Sequence, residues 1–368
     1  MLMKKIINFL LLLTVTAIWS QEQIKNNKFE NLLNEEELYR PNFHFTPQKN
    51  WMNDPNGMFF YKGKYHLFFQ HHPEGNTWGP MHWGHATTEN LFQWDQKPIA
   101  IYPDEKGYIF SGSAVVDPKN TSNLAKNGET PIVAMFTYHN AKAEKEGSET
   151  FQSQAIAYSL DEGKTWEKYE GNPVIENPGI RDFRDPKMQW DDEHEQWVMV
   201  LAAQDKSLFY TSKNLTDWEL ASEFGKEIGA HGGVWECPDF FPIKVKGSDE
   251  TKWILIQSLN PGAFNGGSGT QYFVGDFDGT TFTPVASQKE LPAQHSYWLD
   301  FGKDNYAGVT WSNTNLPENK RLFLGWMSNW QYAEKVPTKA WRSSMTIPRE
   351  LYLVKKDDDT YRLFSEPA

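Results

Sequence analysis

A short unit recurs along the chain, in which a polar turn is followed by an aromatic residue. It lies at residues 88–94, 159–166 and 212–218, each ending in Trp, and more loosely at 275–282, ending in Phe. Intervals of roughly 50 to 70 residues are typical of a four-stranded propeller blade with its loops. No amphipathic helical segments alternate with these units, which disfavours a βα barrel. The repeat therefore predicts an all-β protein with a five-bladed β-propeller over residues 39–354.

Three predicted hairpins share a second feature, an acid close to a proline at the start. The acids are Asp54, Asp185 and Glu236, each with a proline one or two residues later. Residues 54–57 read Asp-Pro-Asn-Gly, which predicts a tight turn because proline fixes φ and Asn-Gly tolerates positive φ. In a propeller the innermost strands run beside one axis, so equivalent positions at their starts converge. The sequence thus predicts a cluster of these three carboxylates at one mouth of the channel.

Composition narrows the classes of function. Aromatic residues make up 15% of the chain, including 16 Trp, which suits both a packed β core and stacking on sugar faces. A net charge of −12 without a basic stripe argues against a nucleic-acid partner and a polybasic membrane surface. The single cysteine, Cys237, excludes an intrachain disulfide. The histidines between His66 and His85 lack a metal-ligand spacing and are interpreted as core residues, so we expect no cofactor and no metal site.

Three carboxylates in one pocket have two common uses. They can hold a divalent cation, or they can divide acid/base and nucleophilic work, because crowding separates their pKa values. Glycoside hydrolysis needs that division, with one protonated acid and one ionised carboxylate. Trp-rich surroundings and the lack of a glycine-rich phosphate cradle favour sugar hydrolysis. A structural Ca²⁺ site is the alternative.

The N-terminus predicts export. Lys4 and Lys5 precede an apolar run over residues 6–18, which is too short to span a bilayer comfortably, and a small residue stands at position 20. We interpret residues 1–20 as a signal peptide and residues 21–38 as a polar lead-in. The protein is therefore expected to be secreted (periplasmic, cell-surface or extracellular), without a transmembrane anchor.

Four motifs carry a family resemblance. Trp-Met-Asn-Asp-Pro-Asn-Gly at 51–57, Phe-Ser-Gly-Ser at 110–113, Phe-Arg-Asp-Pro at 183–186 and Trp-Glu-Cys-Pro at 235–238 resemble the motif set of glycoside hydrolase family 32. The resemblance implies a five-bladed propeller followed by a β-sandwich. Because the chain ends at residue 368, that sandwich is expected to be missing, with residues 355–368 a linker or the start of a truncated sandwich.

The resemblance also implies roles for individual residues in a retaining mechanism on β-D-fructofuranosides. Asp54 would be the nucleophile, Glu236 the general acid and base, and Asp185 the residue that stabilises the transition state. The implied substrate-binding residues are Asn53, Gln70, Trp78, Phe110, Ser111, Arg184 and Trp326. Structural alternatives remain for several of them, because tryptophans can be core, Gln70 can satisfy backbone groups, and Arg184 can pair with Asp185.

These observations lead to one functional hypothesis and its alternatives. The chain is expected to be a secreted exo-β-fructosidase that acts on levan- or inulin-type fructans and on sucrose. Enzymatic alternatives are an invertase specialised for sucrose and a fructosyltransferase. A non-catalytic fructan-binding propeller would be expected to lack at least one of the three acids. Oligomeric state and linkage preference stay open.

Overall fold

The computed structural model describes residues 37–368. The predicted signal peptide, residues 1–20, and the lead-in up to residue 36 lie outside the described residues. Within them the chain forms 21 strands, one short α-helix, α1 (Ala141–Lys145), and two 3₁₀ turns, Ala286–Gln288 and Ala333–Lys335.

The strands form five sheets, each of which is one blade. Blades 1 to 3 follow one another along the chain as antiparallel meanders. They comprise β1 (Asn50–Tyr61), β2 (Lys64–His72), β3 (His82–Thr88) and β4 (Asp95–Ile101); β5 (Tyr108–Val116), β6 (Ile132–His139), β7 (Gln152–Ser159) and β8 (Glu167–Lys168); and β9 (Phe183–Asp191), β10 (Gln196–Ala203), β11 (Lys206–Ser212) and β12 (Glu219–Phe224).

Blades 4 and 5 complete the circle. They comprise β13 (Val234–Lys244), β14 (Thr251–Asn260), β15 (Gly269–Phe277) and β16 (Phe282–Pro284); and β17 (Tyr306–Thr310), β18 (Arg321–Trp326), β20 (Arg349–Lys355) and β21 (Tyr361–Pro367). The remaining strand, β19 (Trp341–Arg342), lies between β18 and β20 in sequence and pairs in parallel with β1, so it joins blade 5 to blade 1.

The first strand of each blade is the innermost. β1 packs beside β5, β5 beside β9 and β9 beside β13, while β17 contacts both β13 and β1. Five inner strands therefore surround one channel, which confirms the predicted all-β, five-bladed propeller.

Every inner strand carries a bulge within its first few residues. There the register with the second strand of the blade shifts, so one strand has more residues than its partner. The shifts fall at Met52–Pro55 in β1, Phe110–Gly112 in β5, Arg184–Lys187 in β9, Glu236–Asp239 in β13 and Tyr306–Val309 in β17.

The prediction of a tight turn at residues 54–57 is wrong, because β1 continues through this segment as one strand. Proline is tolerated there because an inner strand has one unpaired side that faces the channel, and the bulge takes up the extra residue. Gly57 has a left-handed φ of +56°, and a Cβ at this position would lie 2.6 Å from the Trp83 ring. The strand therefore bends at the acid without ending.

The recurring turn units lie at equivalent places, between the third and fourth strands of blades 1 to 4. A hydroxyl at the end of the third strand closes each of the two closest copies. The Thr88 Oγ1 accepts from the backbone of Asn90 and Leu91, and the Ser212 Oγ does the same for residues 214 and 215. The repeat that predicted the fold is therefore a side-chain-capped turn.

The propeller extends beyond the predicted boundary at residue 354. β21 pairs with β20, from Lys355 opposite Tyr361 to Arg349 opposite Pro367, and is the outer strand of blade 5. The prediction of residues 355–368 as a linker or the start of a sandwich is therefore wrong. Tyr361 and Leu363 are buried in the core, which fixes the strand. Its turn ends in Tyr361 rather than in the Trp or Phe of the other copies, so the repeat was not recognised there.

Buried apolar side chains pack between neighbouring blades. Phe68 of blade 1 and Phe136 of blade 2 share one cluster, and Phe209 of blade 3 and Phe240 of blade 4 share another. The buried His66 stacks on Phe59 at a centroid distance of 4.2 Å. Burial lowers the pKa of His66 to about 4, so this ring is a neutral part of the core.

Candidate active site

The bulges bring the three predicted acids together. Asp54 lies at the bulge of β1, Asp185 at that of β9 and Glu236 at that of β13. They line one small cavity, of about 60 Å³, at one mouth of the channel. A bulge re-aims a side chain that regular pairing would direct elsewhere, so the fold itself creates the convergence.

Nine of the ten residues predicted for the site line this cavity. The lining consists of Asn53, Asp54, Gln70, Trp78, Phe110, Ser111, Arg184, Asp185, Glu236 and Trp330. Trp326 is the predicted residue outside this set. It is fully buried, and its ring lies edge-on to Trp330 at 5.0 Å, so Trp330 faces the cavity and Trp326 supports it from behind.

Asp54 lies at the cavity floor among other acids. Its Oδ2 lies 3.4 Å from the Ser111 hydroxyl and 3.7 Å from the Cys237 sulfur. Removal from bulk water, followed by the charges of Glu236 and Asp185, raises the pKa of Asp54 from 3.8 to about 7. An ionised Asp54 is therefore costly in the empty pocket, as expected for a carboxylate held for chemistry.

Asp185 is buried and fixed by the backbone of blade 4. Its Oδ2 accepts a hydrogen bond of 2.9 Å from the Cys237 N–H, and the Cys237 sulfur lies 3.5 Å away. Its own N–H donates to the Thr137 hydroxyl at 3.1 Å. Burial raises the pKa of Asp185 to about 6, while the Arg184 guanidinium acts in the opposite direction.

Glu236 is held at both carboxylate oxygens. Arg184 donates to Oε1 at 2.9 Å, and the Tyr306 hydroxyl donates to Oε2. Arg184 also binds Asp182 at 2.6 Å, so it pairs with Asp182 and Glu236 rather than forming the alternative ion pair with Asp185. Two donors on different blades therefore fix the orientation of this carboxyl group.

Of two predicted polar residues at the cavity, Gln70 has an unused group and Asn53 is held by a neighbour. The Gln70 Nε2 is buried and has no hydrogen-bond partner within residues 37–368, so it does not satisfy a backbone group as the alternative supposed. Asn53 is oriented by the Trp51 indole N–H, which donates to its Oδ1 at 2.8 Å. A buried amide without a partner is costly unless a ligand completes it.

Sequence reasoning missed Tyr306, Trp330 and Asp182 as site residues. The repeat could have indicated the place of Tyr306, because it stands at the start of the bulge in blade 5, as Glu236 does in blade 4. Trp330 lies four residues after the predicted Trp326, in a loop whose direction the sequence does not reveal.

The cavity opens into a wider groove of about 550 Å³. Trp78, Phe110, Arg184, Glu236 and Trp330 line both spaces. The outer part of the groove is lined by His139, Glu144, Phe151, Gln152, Asp182, Gln331, Tyr332, Glu334 and Lys335. A ligand can therefore place one end among the three acids while its remainder lies in the groove.

Two features of the described part of the chain bear on other classes of site. Within residues 37–368, no three His, Cys, Asp or Glu side chains are grouped so that they could hold a metal ion. No helix in the same range has the length and apolar character needed to cross a membrane.

Fold and site together define a five-bladed propeller protein with a three-carboxylate pocket at one mouth of its channel. The chain belongs to glycoside hydrolase family 32, since the model of the family's N-terminal domain matches residues 44–367. The family resemblance of the motifs is thereby confirmed.

Named relatives agree with this assignment. The chain is 57% identical over 319 residues to a levanase from Bacillus subtilis, covering 86% of this chain and 45% of the levanase. It is 48% identical over 343 residues to an extracellular exo-inulinase from Aspergillus niger, covering 87% of this chain and 63% of that protein. The chain thus spans about half to two thirds of the length of these curated relatives.

Solved structures share the fold. The crystal structure of an exo-inulinase from Aspergillus awamori superposes with a TM-score of 0.83 at 45% identity, covering 91% of this chain and 68% of that one. A fructofuranosidase from Schwanniomyces occidentalis in complex with fructose gives a TM-score of 0.82 at 41% identity, covering 91% and 64%.

Proposed function

We propose that this protein is a retaining exo-β-fructosidase that hydrolyses terminal β-D-fructofuranosyl residues of levan- or inulin-type fructans and of sucrose. The observation that carries the proposal is the convergence of Asp54, Asp185 and Glu236 on the narrow end of a groove. Relatives named levanase, exo-inulinase and invertase support fructosides as the substrate class.

Glu236 is proposed as the general acid and base. In its protonated form it gives a proton to the leaving glycosidic oxygen, and as a carboxylate it later takes one from water. Its place at the junction of cavity and groove supports this role, because the bond to be broken would lie there. Arg184 and Tyr306 would keep the carboxyl group aimed during both steps.

Asp54 is proposed as the nucleophile. Its ionised form would attack the anomeric carbon and give a fructosyl-enzyme, which water then hydrolyses with net retention. The neighbouring acids disfavour the ionised form of Asp54. The positive charge that develops on the anomeric carbon in the transition state would stabilise it. Asp185, fixed by the Cys237 N–H, would bind fructose hydroxyls and stabilise the oxocarbenium-like transition state.

The pocket lining supports recognition of one terminal sugar. Asn53, Gln70 and Ser111 offer hydrogen-bonding groups, and the free Nε2 of Gln70 is suited to a sugar oxygen. Trp78 and Trp330 offer apolar faces at the entrance. We include Trp326 as a support for Trp330 rather than as a direct contact. A narrow inner end favours release of single fructose units.

We further propose that residues 1–20 are a signal peptide that is removed on export, and that the enzyme works outside the cytoplasm. The basic and apolar pattern of this segment supports the proposal, as do relatives named extracellular exo-inulinases. Mass spectrometry of the N-terminus of the exported protein tests it, and an N-terminus still at Met1 would contradict it.

Product analysis tests the activity. The purified protein is incubated with levan, inulin and sucrose, and early products are followed by chromatography and by NMR of the released anomer. Free β-fructose is the expected early product from levan and inulin, and fructose with an equal amount of glucose from sucrose. A ladder of oligosaccharides from either polymer contradicts exo action. Relative initial rates separate a sucrose-specialised invertase, and net growth of oligosaccharides identifies a fructosyltransferase. Binding without turnover would indicate the non-catalytic alternative.

A further inference from the structure

Two exposed phenylalanines form a pair on two loops that contact the outer wall of the groove. Phe264 and Phe301 are 61% and 51% exposed, and their rings meet edge to face with centroids 5.3 Å apart. Among the strongly exposed aromatic side chains of residues 37–368, these are the only two in ring contact with each other. Exposed apolar surface of this kind marks a binding site more often than chance.

The turn that carries Phe264 is rigid. The Gly266 N–H donates to the Ala263 carbonyl at 2.9 Å, and the Ala263 N–H donates to the Gly267 carbonyl at 3.2 Å. The Asn265 side chain also donates to the Phe301 carbonyl, which joins the two loops. The aromatic pair is therefore held in place before any ligand arrives, which lowers the entropy cost of binding.

The pair is continuous with the groove through its outer wall, formed by Gln331 and Tyr332. Lys303, two residues after Phe301, donates to the Gln331 Oε1 at 2.7 Å. The Tyr332 hydroxyl bonds to Asp304 in the same loop. On the other loop, a Cβ at Gly267 would lie 2.7 Å from the Gln331 side chain, so backbone and wall are in close contact.

We propose that Phe264 and Phe301 form an outer sugar-binding platform, which contacts a fructan chain beyond the terminal unit held in the pocket. This inference rests on the proposed function. A fructan is neutral and exposes C–H surface that can pack on aromatic faces, and a polymer whose end occupies the cavity must leave across the rim. Sucrose is too short to need the platform, so the pair sets preference for polymers.

The test compares polymer with sucrose in the same variants. For Phe264→Ala and Phe301→Ala, the ratio of kcat/KM on levan or inulin to kcat/KM on sucrose is expected to fall about five-fold each, mainly through KM. Phe264→Tyr is expected to restore the ratio. Phe92→Ala is the matched control, because Phe92 is 52% exposed but lies in the turn between β3 and β4 of blade 1.

A binding assay keeps the test independent of turnover. Each substitution is also made in the Asp54→Asn background, and retardation on native gels containing levan or inulin is measured. Loss of retardation with both alanine variants, but not with Phe92→Ala, supports the platform. Unchanged ratios and unchanged retardation overturn it, as does a smaller oligomeric state of Phe264→Ala than of the wild type without a change in the ratio. A wild-type protein that hydrolyses no fructoside overturns the proposed function instead.

Discussion

Two groups of buried charges lie along the same inner strands and differ in their balance. At the mouth, the three acids Asp54, Asp185 and Glu236 lie beside one guanidinium, that of Arg184, which bonds only to Glu236 among them and also to Asp182. Further along β9 and β13, Lys187 and Asp239 form a one-to-one pair at 3.3 Å. Lys187 also donates to the Thr310 carbonyl at 2.6 Å, so its ammonium has both a counter-charge and a backbone acceptor.

This difference distinguishes a reactive site from a structural ion pair. A balanced, desolvated pair that bonds to neighbouring backbone holds strands in place but has no capacity left for a ligand. In an unbalanced cluster, burial and mutual repulsion raise the pKa of the acids and lower the stability of the folded protein. Such destabilising groups are typical of functional sites, where the reaction requires them. The mouth should therefore respond to mutation in activity, and the deeper pair in stability.

The largest expected effect is on turnover by Asp54→Asn. Amide nitrogen and oxygen cannot form the fructosyl-enzyme, so kcat on sucrose should fall roughly 10⁴-fold or more. The fold should be intact, since removal of one of three crowded acids relieves repulsion. Initial rates and a circular dichroism spectrum measure both. A variant that keeps more than a tenth of the activity would remove Asp54 from the mechanism.

Asp239→Asn should show the opposite pattern. It leaves the Lys187 ammonium buried without its counter-charge, which typically costs about 3–5 kcal/mol of unfolding free energy. Activity per folded molecule should change little, because Asp239 does not line the cavity. Denaturant unfolding and active-site titration separate the two quantities. A double variant, Lys187→Met with Asp239→Asn, is the matched control and should recover part of the loss.

The pH dependence of stability sharpens the comparison further. Folded Asp54 keeps its proton up to about pH 7, whereas its ordinary pKa is 3.8, so the folded state binds more protons between these values. Wild-type stability from this group therefore falls as pH rises through that window. Asp54→Asn lacks the titration, and its melting temperature should exceed that of the wild type more at pH 8 than at pH 4.

The gap at pH 8 has an upper bound of roughly 4 kcal/mol, because each pKa unit corresponds to about 1.4 kcal/mol. Thermal melts at both pH values measure it. Asp239→Asn serves as the contrast, since it should be less stable than the wild type at both. Equal melting temperatures of Asp54→Asn and wild type at pH 8 would show that the mouth is not strained by its charges.

Much of this architecture follows from local sequence. The capped turns repeat because Thr88 and Ser212 recur at the same place in two blades, and this periodicity predicted the propeller. The three acids were found because each stands near a proline at a bulge. Blade 5 was cut short because its last turn ends in Tyr361, whereas the recognised copies end in Trp or Phe.

Other features depend on contacts between distant segments. Tyr306 reaches Glu236 across 70 positions of sequence, and no local pattern marks that tyrosine as a donor. Trp330, and not Trp326, lines the cavity because of the way in which Trp51, Trp326 and Trp330 pack against one another. Such packing is decided by tertiary structure, which motifs do not encode.

The smallest effect expected at the mouth comes from Tyr306→Phe, which keeps the ring and removes one donor to Glu236. Arg184 still holds the other oxygen, so the carboxyl group is misaimed only in part and kcat should fall roughly ten-fold with little change in KM. Stability should be nearly unchanged, unlike that of Asp239→Asn. Tyr138→Phe is the matched control, because its hydroxyl bonds to Asp104 at 2.6 Å and it lines neither cavity nor groove. Equal losses of kcat in both tyrosine variants would mean that Tyr306 supports the fold rather than the orientation of Glu236. The mouth would then contribute to stability as the Lys187–Asp239 pair does.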